Sequence, residues 1–260
     1  MVVYYENSKG QKLNLLKAPY RVVDADWYDS DWNESSDGYE KTVDIDVFGK
    51  RSEFIKNMEH LYSILAVDSE KGVYGKLFVN GSYLRCRIQE SKKSSWKGYV
   101  YSEVELKFFA PKLEWCQDVT KEFYPQTQEA DISGLDFEFD FEFDFAAEKR
   151  GAEQWEIDHV TASDFEMVIY GPCTNPRILI NRYPYEVFTT LEKNEYLIID
   201  SRENTIMKHL SNGTISNLFD ERGYEHSVFE KIPSGLLTFN WSGDFGYDLT
   251  LHLKRREALW

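Results

Sequence analysis

From Leu135 to Phe145 the chain reads LDFEFDFEFDF, five phenylalanines alternating strictly with five acids. A period of two sends successive side chains to opposite faces of a β-strand, whereas a helix would spread these rings around its circumference. The run therefore predicts a strand with one aromatic face and one carboxylate face. It contains no lysine or arginine, so like charges recur along one side. Its aromatic face must be covered, because a bare strand of this kind templates aggregation.

The same alternation recurs earlier in the chain. Lys41–Phe48 places Val43, Ile45 and Val47 on one face, and YVYSEVELKFF (Tyr99–Phe109) alternates until Pro111 ends it. Leu13–Leu16 and Tyr20–Val23 read as short strands around Pro19. Tyr74–Val79 and Tyr83–Gln89 flank Asn80-Gly81, a pair suited to the two positive-φ positions of a type I′ hairpin turn. Between Ser52 and Leu65 the period changes. Phe54, Ile55, Met58, Leu61, Tyr62 and Leu65 form a helical stripe, with Ser52 as N-cap and Glu53 in the first turn. Thr120–Gly134 is polar and turn-rich and reads as a linker.

Beyond it come Phe165–Tyr170, Arg177–Ile180, Tyr183–Thr190, Tyr196–Asp200, Thr205–His209, Leu236–Trp241 and Tyr247–Leu253. These short runs are separated by Gly, Pro, Asn and Asp, and Asn212-Gly213 supplies another tight hairpin. Many short strands at close spacing predict a β-sandwich or jelly roll. The fold class expected is mainly β in two domains, the first carrying one helix.

Composition agrees. Seventeen Tyr, seventeen Phe and seven Trp suit pleated sheets. The formal charge of -15 opposes a grip on nucleic acid or on an anionic membrane. Cys86, Cys116 and Cys173 are scattered, neither a disulfide framework nor a zinc pattern, and are expected as buried small side chains. MVVYYENSKGQK lacks the basic start and apolar core of a signal peptide, and no apolar stretch approaches the ~20 residues of a membrane span. A soluble protein made in a cytoplasm is expected.

The candidate chemistry is thin. Asp29, Asp31, Asn33, Asp37 and Glu40 occupy positions 1, 3, 5, 9 and 12 of an EF-hand loop, but Glu34 stands where the turn needs glycine and the flanks read as strands. An acidic surface loop is the expectation. Ser234 and Ser242 lie in PSGL and WSGD, not G-x-S-x-G. His60, His159, His209, His226 and His252 form no paired ligand spacing. Asp136, Glu138, Asp140, Glu142 and Asp144 stand about 6–7 Å apart along one strand face, which imitates a glycosidase pair by geometry alone. Trp155 and Trp241 are candidates to stack on a sugar, or to fill the core. No catalytic, cofactor-binding or metal-binding residue is assigned, no cofactor is expected, and an enzyme is not expected.

Taken in order, several segments resemble the distal tail protein (Dit) family of long-tailed siphophages and related prophages. They are NLLKAPYRVVDADW, the helix after VDIDVFGKRSEF, the hairpin LFVNGSYLRCRI, and the strand ending VELKFFAPKLEWCQD. The alternating acidic-aromatic run, GPCTNPRILINRYPYEVFTTLEKNEYLIIDSRENTIMKHLSNGT, LLTFNWSG and the basic ending LHLKRREALW complete the set. The resemblance implies an N-terminal ring-forming β domain with one helix over residues 1–132 and a C-terminal galectin-like β-sandwich over 133–260. It implies a homo-hexameric ring at the virion tail tip, assembled in the bacterial host cytoplasm. Such a ring joins the tail tube protein to the baseplate, tip fibre or receptor-binding proteins, and DNA passes its channel without specific binding or membrane insertion. The length resembles the short members, without carbohydrate-binding insertions. Two other expectations stand beside this one: a monomeric carbohydrate-binding sandwich of a tail fibre, and a glycan-cleaving enzyme.

Overall fold

A computed structural model describes residues 1–24, 27, 32–126 and 151–259. The alternating run 135–145, and with it Asp136 to Asp144, lies outside the described residues. Among those described, the chain forms twenty strands and one α-helix. It divides into two compact units, Met1–Gln117 with Lys254–Trp260, and Asp118–Leu253.

The first unit contains β1 (Val3–Glu6), β2 (Lys12–Asn14), β3 (Tyr20–Asp24), β4 (Asn33–Ser35), β5 (Gly38–Phe48), α1 (Arg51–Lys71), β6 (Gly75–Val79), β7 (Ser82–Lys97), β8 (Tyr101–Ala110) and the start of β9 (Trp115–Phe123). Strands β2, β1, β6 and β7 pair in that order. The far half of β7 turns to β8, which pairs with β5, and β5 carries both β3 and β4. The expected alternation holds: Val43, Ile45 and Val47 on β5 and Val104, Leu106 and Phe108 on β8 are all buried. The β6–β7 turn also holds, with Asn80 at φ 47 and Gly81 at φ 88, both in the left-handed region a type I′ turn requires.

Helix α1 begins earlier and ends later than its stripe predicts. Lys50, not Ser52, is the N-cap, and its backbone N–H donates to the Glu53 carboxylate at 3.1 Å. The helix therefore starts where Glu53 can reach back to an orphan donor. Gly72, in the left-handed region at φ 64, ends it. The buried stripe is also narrower than expected: Phe54, Leu61, Ile64, Leu65 and Asp68 are buried, while Ile55 and Tyr62 are exposed. Adjacent helical residues point ~100° apart, so Phe54 and Ile55 cannot both face the sheet.

The second unit contains the rest of β9, β10 (Gly151–Ile157), β11 (Asp164–Tyr170), β12 (Cys173–Thr174), β13 (Arg177–Ile180), β14 (Tyr183–Glu186), β15 (Thr190–Leu191), β16 (Tyr196–Asp200), β17 (Thr205–His209), β18 (Ile215–Asn217), β19 (Gly235–Trp241) and β20 (Tyr247–Arg255). One sheet runs β18, β17, β16, β11, β20, and another runs β10, β19, β13, β14. Phe165, Met167 and Ile169 of the first and Leu237, Phe239 and Trp241 of the second enter one buried cluster, which makes the unit a β-sandwich. The expected single strand Tyr183–Thr190 is split into β14 and β15. Between them Val187 bridges to Arg222, so the chain leaves one sheet and pairs β15 with β12 instead.

The two units exchange inside strands, not in a linker. Thr120–Phe123, expected as the start of a linker, is the second half of β9. Trp115 at one end of β9 belongs to the core of the first unit and Phe123 at the other end to the core of the second. The polar stretch between them is an anchored strand. The division expected at 132/133 falls among residues not described. The chain returns to the first unit at the end of β20, and just beyond that strand Ala258 is buried and the Leu259 N–H donates to Ser82 Oγ at 3.1 Å.

Candidate functional site

The residues singled out by sequence do not converge. Asp29 and Asp31 lie outside the described residues. Asn33 and Glu40 are cross-strand partners in the β4–β5 hairpin, and Glu40 is paired with Lys107 at 2.9 Å. A hairpin flanked by strands is not an EF-hand loop. Among the described residues no three His, Cys, Asp or Glu side chains are gathered for a metal ion.

The histidines are dispersed. His60 and His226 are exposed against Tyr20 and Tyr183, and His209 stacks on Tyr196 at 4.5 Å. His252 is 3% exposed, with Nδ1 2.6 Å from the Asp118 carboxylate. An imidazole–carboxylate pair has catalytic form, but this ring is sealed within the sheet, where a substrate cannot reach it. Of the cysteines Cys86 is buried as expected, whereas Cys116 and Cys173 are only half-buried, and all three are free thiols. Burial pushes the Cys173 thiol up to about 11, away from reactivity at neutral pH. Trp241 is in the core, its indole N–H donating to the Phe245 carbonyl at 3.0 Å, and Trp155 packs half-buried against Phe239. Neither is an open sugar platform.

What remains is surface. In the first unit, Phe48, Tyr99 and Val100 are exposed large apolar residues at one end of the β5–β8–β7 sheet. Pairing explains the cluster: Phe48 faces Tyr101 in register, and the Gly49 N–H donates to the Val100 carbonyl at 3.1 Å. The Arg51 guanidinium lies 5.0 Å from the Tyr99 ring. Tyr101 donates to Asp46 at 2.6 Å, and that hydrogen bond pushes the phenol up to about 12. The far half of β7 has β8 on one side and, among the described residues, no strand on the other. Lys92, Lys93 and Lys97 decorate this open edge, the charge placement that discourages indiscriminate strand addition.

In the second unit, a groove of about 320 Å³ is lined by Arg177, Pro184, Glu186, Phe188, Gly223, Tyr224, Glu225 and His226. Its floor is the β13–β14 hairpin, in which Arg177 and Glu186 are cross-strand partners. Its wall is the 223–226 segment, tied down by Gly223 N–H to the Glu186 carbonyl at 3.1 Å. No motif marked these residues, because two segments some forty positions apart build the groove together.

The comparisons with known proteins give a fold. No family model matches the chain, and no curated protein matches it. The structure is similar to that of the Dit (gp 19.1) protein of SPP1, described as a paradigm of hub adsorption apparatus in Gram-positive infecting phages. The TM-score is 0.52 at 11% identity, over 98% of each chain. It is also similar to a chain of the phage P2 baseplate in its activated conformation with Ca, with TM-score 0.57 at 12% identity over 98% of this chain and 99% of the other. A chain of the same baseplate with Sr gives TM-score 0.57 at 12% identity over 98% of each. The chain therefore has the fold of the SPP1 Dit protein and of these P2 baseplate chains along essentially its whole length.

Proposed function

We propose that this protein is a structural component of a phage tail tip, a hub that joins the tail tube to the baseplate and is not an enzyme. The observation that carries the reading is the likeness to the SPP1 Dit protein and to a P2 baseplate chain over at least 98% of both partners, which takes in both units. Six copies close into a ring through heterologous contacts between first units, because a head-to-tail interface that closes generates a cyclic oligomer. The tail tube protein docks on one side of the ring, and tip, fibre or receptor-binding proteins on the other. The exposed cluster of Phe48, Tyr99 and Val100 and the open edge of β7 are the surfaces such neighbours need.

The charge of -15 suits a bore through which DNA passes without sticking, since anionic walls repel phosphate. No helix among the described residues is long and apolar enough to cross a membrane, and the reading places the protein in the virion after assembly in the host cytoplasm. Light scattering with negative-stain imaging tests it. Six-fold rings, alone or on addition of the tail tube protein, are expected. A clean monomer under both conditions sinks the ring and returns the monomeric carbohydrate-binding sandwich as the better account.

A further inference from the structure

We propose that the groove between β14 and the 223–226 segment is a binding site for a neutral pyranose. The inference goes beyond the hub reading and is independent of it, because every residue involved lies within the second unit.

Two aromatic rings stand in solvent at the groove: Tyr224 is 71% exposed and Phe188 is 48% exposed. Tyr124, Tyr170 and Phe219 are also exposed in this unit; at this groove two open rings stand beside Arg177, Glu186 and His226. Tyr224 is already immobilised. Its Oη donates to the Asp220 carbonyl at 2.8 Å, and the Arg222 guanidinium lies 4.9 Å from its ring centroid. The backbone that carries Phe188 is tied down by its N–H, which donates to the Glu221 carbonyl at 2.7 Å. Rigid platforms lose little entropy on binding.

The polar lining supplies both directions of hydrogen bonding. Glu186 and Glu225 accept, and Arg177 and His226 donate. Arg177 Nε and Glu186 Oε1 are 3.9 Å apart, beyond hydrogen-bond length, so both groups keep capacity for a ligand. Hydroxyls on a ring with an apolar face need this pairing of stacking surface and mixed donors and acceptors. The volume is at the small end of ligand sites, room for a ring or two. Two carboxylates against one guanidinium disfavour anionic sugars and phosphates.

Saturation-transfer NMR on the full chain tests this with methyl glucoside, methyl galactoside and methyl N-acetylglucosaminide, and with glucuronate as the anionic counterpart. At about 20 mM ligand, well above a millimolar dissociation constant, at least one neutral glycoside should show transfer and glucuronate none. Tyr224→Ala should weaken binding by about 2–10-fold, and Glu186→Gln should weaken it as well. Val160→Ala, at an exposed position outside the groove, should leave it unchanged. Should Tyr224→Ala fail to fold, Arg177→Gln takes its place. No transfer from any neutral glycoside, stronger transfer to glucuronate, or signals indifferent to the groove variants would each overturn the proposal.

Discussion

The two units solve the same packing problem differently. The second is a sandwich whose centre is a nest of rings: Phe123 stacks on Tyr247 at 4.4 Å and lies 4.8 Å from Phe239 and 5.8 Å from Trp241. The first lays α1 on a sheet and closes the junction with a polar lock. Asp68, 1% exposed on α1, accepts hydrogen bonds from the Tyr5 hydroxyl and from the Ser8 N–H at 3.0 Å. Asn7 Nδ2 donates to the Ile64 carbonyl at 3.2 Å. Burial, then the Asp68 hydrogen bond, drives the Tyr5 hydroxyl far above its ordinary range, so it stays a donor. Ring nests are tolerant of orientation, whereas a buried carboxylate is satisfied in one register only. The first unit is thus built for a specified helix position and the second for bulk cohesion.

Breaking the nest should have the largest effect. Phe123→Ala removes a ring that is 2% exposed and touches three others. It should cost about 3–5 kcal/mol. Calorimetry should show the loss falling on the transition of the second unit, and equal loss in both units would argue that they unfold as one.

Next is the polar lock. Asp68→Ala strands the Tyr5 hydroxyl in the interior, takes the acceptor from the Ser8 N–H, and should cost about 2–4 kcal/mol. Hydrogen exchange should show α1 and β1 loosening together while the second unit keeps its protection. Gly75→Ala probes the same lock by sterics, since a Cβ there would overlap the Glu6 carbonyl, the Tyr5 hydroxyl and the Asp68 carboxylate. A smaller loss, about 1–2 kcal/mol, is expected for Gly81→Ala, because φ 88 is strained for any residue with a Cβ. Urea titration reads it directly.

The smallest effect concerns pH. Lys208 lies 2.8 Å from Glu195 and, with the backbone donor at Glu192, holds the Glu195 carboxyl below its ordinary range. Its contribution to the second unit is complete above about 4.5 and is lost as pH falls through the lower folded value. Glu195→Gln should therefore lower the melting temperature slightly at neutral pH, converge with the parent at low pH, and so flatten the profile on the acid side. An unaltered acid limb would mean the pair contributes nothing.

Much of the architecture was legible in periodicity. Alternation located β5 and β8, short runs bounded by Gly, Pro, Asn and Asp located β11, β13, β16 and β17, and the Asn80-Gly81 pair located the β6–β7 turn, because these signals are local. Strand β9 was not legible. Trp115 and Phe123 are separated by seven mostly polar residues, and only their burial in two different cores reveals the strand. The lock was equally silent, since Asp68 reads like any acid on a helix until Tyr5 and Ser8 are brought to it. Nor did anything mark Glu186 with Tyr224 as neighbours.

By itself the sequence determined the β-rich class, the helix, the tight turns and the absence of known catalytic motifs, since these follow from side-chain direction and backbone preference within a few residues. The tertiary structure alone decided where the units exchange, which carboxylate is buried, and that Arg177, Glu186, Phe188 and Tyr224 share a groove. Those are long-range juxtapositions, set by how sheets pair and pack, and no short window of residues encodes them.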